Sequence, residues 1–378
     1  MPASTTNLEY EGSNFLRQRL ILSTISGRPV RIVNIRNKDD DPGIREYELT
    51  LLKLFDSVTN GTRIEINETG TRLLFRPGLL TGGSFELDCG TGRPISYYLE
   101  AVVYLAPFAK KPISAKFFGV SNCRDDVSVD AIKSSLISVM NRFILDTEGL
   151  DIKVIKRGLA PDGGAEVEFT APICRQIRPI QLTDQGKVKK IRGVAFACKV
   201  SPLLASRTME SAKGTLRQFL SDIYIYTHHT KGVASGQSPG FGIVLTAETT
   251  TGVIYSAEST SKPRGAEDDP LTPEEVGQQA AHALFQQIHL GGCVDSGPAQ
   301  ALALYFMTLT PQDVSKLVVG PLSQYSVHFL RHIRDFFGLT FKIDKFHKSQ
   351  GEDEYETASK LLLTCVGIGF SNINKTLL

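Results

Sequence analysis

The sequence predicts an α/β (α+β) chain in which one unit recurs three times and is interrupted by a smaller α/β domain. Two observations carry this. An order of helix, strand, helix, strand, strand runs through the first part of the chain, returns, and appears again near the end. The spacing is roughly 85 to 100 residues, and the recurrence lies in element order rather than residue identity. Between the second and third copies, residues 184–290 follow a different order. At 378 residues the chain has room for about two structural bodies at roughly 150 residues each.

The first copy begins after a short polar arm. Residues 14–25 are mainly apolar and stop at Ser26-Gly27-Arg28-Pro29, a helix end followed by a turn. Residues 30–35 alternate as a half-buried strand does. Leu49, Leu52, Phe55 and Val58 place a helix over 44–58, and strands over 62–67 and 72–75 flank the Glu68-Thr69-Gly70 turn. The second copy has helices at 95–105 and 129–143 and strands at 113–118, 151–156 and 165–169. The third has helices at 297–309 and 324–337 and strands at 316–319, 339–343 and 361–368. In the interruption, strands at 191–200, 223–227, 242–247 and 253–258 accompany helices at 203–220 and 274–288, with a flexible spacer at 259–270. The expected division is therefore 1–183, 184–290 and 291–378.

Composition excludes more than it assigns. Hydrophobic residues make up 41% and charged residues 22%, as in an ordinary globular protein. No apolar run approaches the roughly 20 residues of a membrane span, so no membrane partner is expected. Met1-Pro2-Ala3-Ser4-Thr5-Thr6 lacks the features of a secretory signal. The six cysteines form no CxxC pair, which points away from a zinc ribbon or a disulfide framework. A net charge of +2 does not announce nucleic-acid binding, although Lys187, Lys189, Lys190 and Arg192 form a local cationic run.

The glycine-rich segments Thr81-Gly82-Gly83-Ser84 and Asp162-Gly163-Gly164-Ala165 match neither a P-loop nor a dinucleotide fingerprint and read as turns. Arg17, Arg36, Arg76 and Arg157 sit beside turns or Gly and Pro; at matching ends of repeated units they would line one anion-binding surface. In the helix at 324–337, Val327, Leu330, Ile333 and Phe337 form an inward face. The opposite stripe carries Gln324, Tyr325, His328, Arg331, His332 and Asp335. Such a stripe suits a catalytic site or an anion site, but a solvated helix face is its commonest meaning. His328 and His332 lie four residues apart, but no third ligand and no HExxH context accompany them, so no metal is expected. No G-x-S-x-G nucleophile elbow is present.

Several segments, taken in order, resemble the RNA 3′-terminal phosphate cyclase family. They are Glu11-Gly12-Ser13-Asn14-Phe15-Leu16-Arg17, Ser26-Gly27-Arg28-Pro29, Ile35-Arg36, Pro42-Gly43, Leu74-Phe75-Arg76-Pro77-Gly78 with Gly82-Gly83, Lys156-Arg157-Gly158 with Pro161 and Gly163-Gly164, and Ile191-Arg192-Gly193. The resemblance covers almost the whole chain. It implies a large body of three repeated units, each with two helices and a four-stranded sheet, carrying a smaller inserted α/β domain. Cyclases of this family use ATP to adenylylate a histidine, pass AMP to an RNA 3′-phosphate and close a 2′,3′-cyclic phosphate. Matching Arg334-Asp335-Phe336-Phe337-Gly338-Leu339-Thr340-Phe341 to the end of the family's histidine-bearing helix puts Tyr325 at the nucleophile position. A phenol with pKa near 10 is a poor replacement for imidazole. His328 is displaced from that position by roughly 4 to 5 Å along a regular helix.

Other departures agree. The glycine-rich start is reduced to Gly12-Ser13-Asn14. The acidic member of an Asp-Gln pair becomes Ala299 before Gln300, and a glutamine on the second unit's first helix becomes Glu100, a carboxylate expected to repel nucleotide phosphates. This combination resembles the eukaryotic cyclase-like branch of the family, nucleolar proteins without cyclase activity that serve the processing of small-subunit ribosomal RNA precursor. The resemblance implies no cofactor, a nuclear and nucleolar location, and three partners: a nucleolar ribosome-assembly GTPase, the small nucleolar RNP of the small-subunit processome, and pre-rRNA. Arg17, Arg36, Arg76 and Arg157 are the candidates for anion or RNA binding, and His328, Arg331 and Arg334 for partner binding. Two enzymatic alternatives stand beside this: a pre-rRNA endonuclease using His328, Arg331 and His332, and an active cyclase with a displaced histidine.

Overall fold

The computed structural model describes residues 7–124, 126–263, 269–346 and 358–372. The leading segment 1–6 and residues 264–268 of the expected spacer lie outside them. The fold class is the one expected, a mixed α/β architecture, and its repetition is closer than the residue pattern alone revealed.

The first unit runs β1 (Leu8–Glu11), α1 (Leu16–Ser26), β2 (Val30–Val33), α2 (Glu46–Val58), then β3 (Thr59–Asn60), β4 (Arg63–Ile66), β5 (Leu73–Arg76) and β6 (Leu79–Leu80). Its sheet has the order β1-β2-β5-β4. β1 pairs parallel with β2, and the remaining pairs are antiparallel; β3 and β6 form a separate two-stranded ribbon. The second unit comprises β7 (Gly82–Asp88), α3 (Ile95–Leu105), β8 (Lys111–Gly119), α4 (Val129–Phe143), β9 (Asp151–Lys156) and β10 (Ala165–Ala171). Its order, β7-β8-β10-β9, has the same directions.

The third unit is split. Its first strand, β11 (Gln181–Leu182), precedes the interruption and pairs parallel with β16 (Val314–Val319) far along the chain. Between them lie β12 (Val188–Cys198), α5 (Pro202–Leu216), β13 (Ile223–Thr230), β14 (Gly240–Thr249), β15 (Ile254–Thr260) and α6 (Pro273–Leu290), with a sheet ordered β13-β12-β14-β15. The third unit then continues through α7 (Pro298–Leu309), β16, α8 (Gln324–Phe337), β17 (Lys342–Phe346) and β18 (Lys360–Val366), giving β11-β16-β18-β17.

The core explains why these helices sit where they do. In α3, ten of eleven residues are buried, and in α7 every residue after Pro298 is, so both read as apolar all round rather than amphipathic. α1 packs against α3 and α8, α3 against α7, and α7 against α4 and α8. The first helix of each unit therefore forms the centre. A ring cluster fills it: Phe306 contacts Phe108, Phe143 and Tyr305, and Phe329 of α8 contacts Tyr104 and Tyr305.

Two sequence expectations change. The first strand of each unit escaped the pattern: β1 alternates with glutamates outward, β7 opens on Gly82-Gly83 at a bulge, and β11 is only two residues long. The Gly82-Gly83 segment is thus the start of a strand rather than a plain turn. The inward face of α8 is also rotated from the one expected. Ser326, Phe329, His332, Ile333 and Phe336 are buried, whereas Val327, Leu330 and Phe337 are only partly covered. Gly338, at φ 68°, then ends α8 in the left-handed conformation that a side chain disfavours.

This packing sets a stability contrast. Phe306→Ala, at a position with no exposure, is expected to lower unfolding free energy by about 3–5 kcal/mol. Leu145→Ala, at 78% exposure, is expected to change it by less than about 0.5 kcal/mol. Denaturant melts of the two variants check this, and equal effects would contradict the assignment of the core.

Candidate functional site

The loop that feeds α8 is fixed from below by α7. Ser323 caps the helix by accepting from the Ser326 N–H at 3.1 Å. Gln300, buried in α7, accepts from the Ser326 hydroxyl at 2.8 Å and the Ser323 N–H at 3.3 Å, and donates to the Pro321 carbonyl at 3.3 Å. The glutamine that survives beside Ala299 therefore positions the entry to α8.

Tyr325 stands on the first turn that this loop delivers. Its hydroxyl donates to Glu100 Oε1 of α3 at 2.7 Å and accepts from Arg17 Nη2 of α1 at 3.1 Å. Arg17 also pairs with Glu100 Oε2 at 2.6 Å and donates to the Tyr97 carbonyl at 2.9 Å. The guanidinium lies 4.7 Å from the Tyr97 ring centroid. Burial pushes the Tyr325 phenol above its ordinary pKa, and the Glu100 carboxylate adds to the shift, so the phenol stays protonated. For Arg17 burial works against the charge, but Glu100 outweighs it and the guanidinium is held above its usual pKa. Glu100, expected from the sequence to repel nucleotide phosphates, does not stand as a free negative charge. Arg17 neutralises it, and both its oxygens are occupied. The hollow around this cluster, bordered also by Ser96, Asp126 and Ser323, measures about 160 Å³.

About two turns further on, His332 points into the interior rather than along the exposed stripe. Gln18, fully buried on α1, accepts from His332 Nδ1 at 2.9 Å and donates to the Tyr325 carbonyl at 3.0 Å. His332 Nε2 faces the Nε–H of Arg19 at 3.4 Å. That arrangement requires a neutral ring with its proton on Nδ1. Burial, with Arg19 alongside, holds the imidazole down at about 3. Burial likewise lowers Arg19 to about 10. His328 stacks on Phe15, with centroids 4.2 Å apart, and its ring lies 6.5 Å from that of His332. The two histidines therefore do not present a shared acid–base pair to solvent. The Gln18–His332 pairing was missed because Gln18 looked like one more polar residue in a mainly apolar helix; an amide amid Leu16, Leu20 and Ile21 was the signal available.

The four candidate arginines each hold a different carboxylate. Arg17 pairs with Glu100, and Arg36 makes a two-pronged contact with Glu48 at 2.7 and 2.8 Å. Arg157 pairs with Asp130, and its guanidinium lies over the Phe196 ring, 4.3 Å from the centroid. Arg76 faces Glu65 at 4.0 Å, with both side chains largely exposed. Burial disfavours the Arg157 charge, but Asp130 holds its pKa above the ordinary value. Arg331 and Arg334 are exposed on α8 and, with Leu330, Leu339, Phe341 and Ile343, line a hollow of about 170 Å³. At the far end of the helix, Arg28 donates to the Asp335 and Phe336 carbonyls at 2.7 and 2.9 Å, a cation placed at a helix C-terminus.

Residues 8–343 match the sequence profile described as RNA 3′-terminal phosphate cyclase. An RNA 3′-terminal phosphate cyclase-like protein of Homo sapiens is 51% identical over 377 residues, with 100% of both chains covered. A probable RNA 3′-terminal phosphate cyclase-like protein of Caenorhabditis elegans is 51% identical over 379 residues, covering 99% of this chain and 100% of its own. The rRNA processing protein rcl1 of Schizosaccharomyces pombe is 38% identical over 370 residues, covering 97% of each chain.

The neutral, buried His332 makes stability depend on pH. Its folded value of about 3 lies below the 6.5 of a free imidazole, so the unfolded chain binds the extra proton between them and stability falls as pH drops through that window. His332→Gln removes this component. The difference in unfolding free energy between parent and variant is expected to change between pH 6.5 and 3 and to stay flat above about pH 7.5. A difference independent of pH would contradict the assignment.

Proposed function

We propose that this chain, which belongs to the RNA 3′-terminal phosphate cyclase family, acts in ribosomal RNA processing as an assembly factor and does not itself form a cyclic phosphate. The observation that carries the reading is the closed cluster at Tyr325. A cyclase of this family needs an imidazole nitrogen there, and here a protonated phenol is clamped between Glu100 and Arg17. The adjoining hollow of about 160 Å³ is smaller than the roughly 300 Å³ at which ligand clefts begin. Its buried carboxylate already takes the cation that a phosphate would seek. These residues do not fit ATP. His328, stacked on Phe15, supplies no replacement, and the buried His332 gives no support to an endonuclease that shares acid–base work between the two.

The finer reading is a role in maturation of small-subunit ribosomal RNA, in the nucleus and nucleolus, with pre-rRNA, a small nucleolar RNP and a ribosome-assembly GTPase as partners. It is supported by the printed name of the fission-yeast relative, an rRNA processing protein, and by the rigid helix left at the altered site. α8 is capped at Ser323, tied to α7 by Gln300 and closed at its end by Arg28. It therefore holds Arg331 and Arg334 outward at fixed positions. Arginine on a rigid helix is a common anchor for protein partners.

Two outcomes test this. Cells depleted of the chain are expected to accumulate uncleaved small-subunit rRNA precursor, and re-expression of Tyr325→Phe is expected to restore maturation, because a phenol that does no chemistry is not needed for its hydroxyl. Normal rRNA in depleted cells would sink the proposed role. Separately, Arg331→Ala with Arg334→Ala is expected to weaken capture of the purified GTPase by roughly tenfold or more, read by titration; unchanged affinity would remove these residues from the interface.

A further inference from the structure

The sheet of β12 to β15 is covered on one face only along its full width. α5 lies against β12, β13 and β14, and α6 lies against β14 and β15. The opposite face meets α4 on the β14 and β15 side and is left open toward β13, the outer strand. Register fixes what the open part displays. Arg192 is level with Tyr224 and Thr246, and Val194 with Tyr226 and Val244, so all six share one face. Tyr224 and Tyr226 are 54% and 57% exposed, with their rings edge-to-face at 4.5 Å. Tyr226 lines a groove of about 570 Å³ between this face and α4, and Tyr224 stands beside it at the groove's outer end.

The groove floor is apolar, and its rim carries three cations beside one carboxylate, Asp130, which Arg157 neutralises. Lys133 and Arg142 of α4 stand across from Arg192 of β12. Lys133 and Arg192 hold Asp151 and Asp222 at 2.8 and 2.7 Å, but these pairs are solvent-exposed, so they are weak and exchangeable. Arg142 donates to the Thr251 carbonyl at 2.6 Å and has no carboxylate partner among the described residues. Flat aromatic faces beside guanidinium and ammonium groups are the equipment with which sheet surfaces take unpaired bases and their phosphates.

We propose that this groove binds a single-stranded segment of RNA, with bases stacking on Tyr226 and Tyr224 and phosphates meeting Arg192, Arg142 and Lys133. The inference rests on the rRNA-processing reading and adds to it a surface distinct from the Tyr325 hollow and from the exposed arginines of α8. An extended peptide added to the outer edge of β13 is the competing occupant. It would use backbone groups of the strand rather than the ring faces and the α4 cations, and the charge on the rim favours a polyanion.

The test is fluorescence anisotropy of the full chain with a labelled single-stranded oligoadenylate and with the same length of duplex RNA, over a series of salt concentrations. The single strand is expected to bind more tightly than the duplex. Tyr224→Ala with Tyr226→Ala is expected to weaken it roughly fivefold to a hundredfold, as the loss of one or two stacked bases would. Tyr224→Phe with Tyr226→Phe retains the rings and is expected to bind like the parent. Arg142→Ala is expected to reduce the salt slope by about 0.7. Full affinity in the alanine pair overturns the inference, as does failure of the parent to bind single-stranded RNA, which would leave the peptide as occupant. Neither result touches the rRNA-processing reading, which fails only if depletion of the chain leaves rRNA maturation intact.

Discussion

The buried contact of Arg17, Glu100 and Tyr325 takes one side chain from each of the three repeated units, through α1, α3 and α8. In a low-dielectric interior the Arg17–Glu100 ion pair at its centre is stable only when both charges are present. Removal of one partner from a buried ion pair strands the other charge, at a cost of about 3–5 kcal/mol. Here the geometry closes: the guanidinium reaches Glu100 at 2.6 Å and the Tyr97 carbonyl at 2.9 Å, and the phenol donates to the second carboxylate oxygen at 2.7 Å. The neighbouring Gln18 extends the network by joining the Tyr325 carbonyl to the neutral His332. The meeting point of the units is in this chain a polar lock.

The lock also fixes how α8 is presented. With Gln300 holding its entry, His332 turned inward and Arg28 on its last carbonyls, the helix has little freedom to rotate. His328 is held on Phe15, and Arg331 and Arg334 remain in solvent. The inserted sheet presents an exposed surface of different chemistry: tyrosine rings and basic side chains instead of an arginine-bearing helix.

Much of the fold was legible because periodicity survives wherever one face is buried. The bounds of α3, α4, α8 and β9 follow directly from their apolar spacing. What escaped had physical reasons. β1 is short and carries glutamates on its outer face, β11 is two residues long, and its pairing with β16 crosses the whole insert; no local pattern encodes such a partner. Tyr325 and Glu100, singled out in the sequence, meet in the structure, but their contacts were not legible. The sequence placed a phosphate-repelling carboxylate at Glu100 but does not reveal that Arg17 faces it. His332 was placed on a solvent stripe because a helical wheel centred on Val327 and Leu330 is rotated from one centred on Phe329 and Ile333. The four arginines looked alike in sequence because each sits by a turn, yet their carboxylates lie 11 to 83 residues away along the chain in Glu65, Glu48, Asp130 and Glu100.

The central claim is that the Tyr325 cluster leaves no site for nucleotide chemistry. Incubating the purified chain with magnesium and ATP labelled on the α-phosphate, then resolving the denatured protein, measures this directly. The account predicts no covalent AMP on any residue and no rise in melting temperature with ATP. A stable adenylate on His328 or another side chain would contradict it.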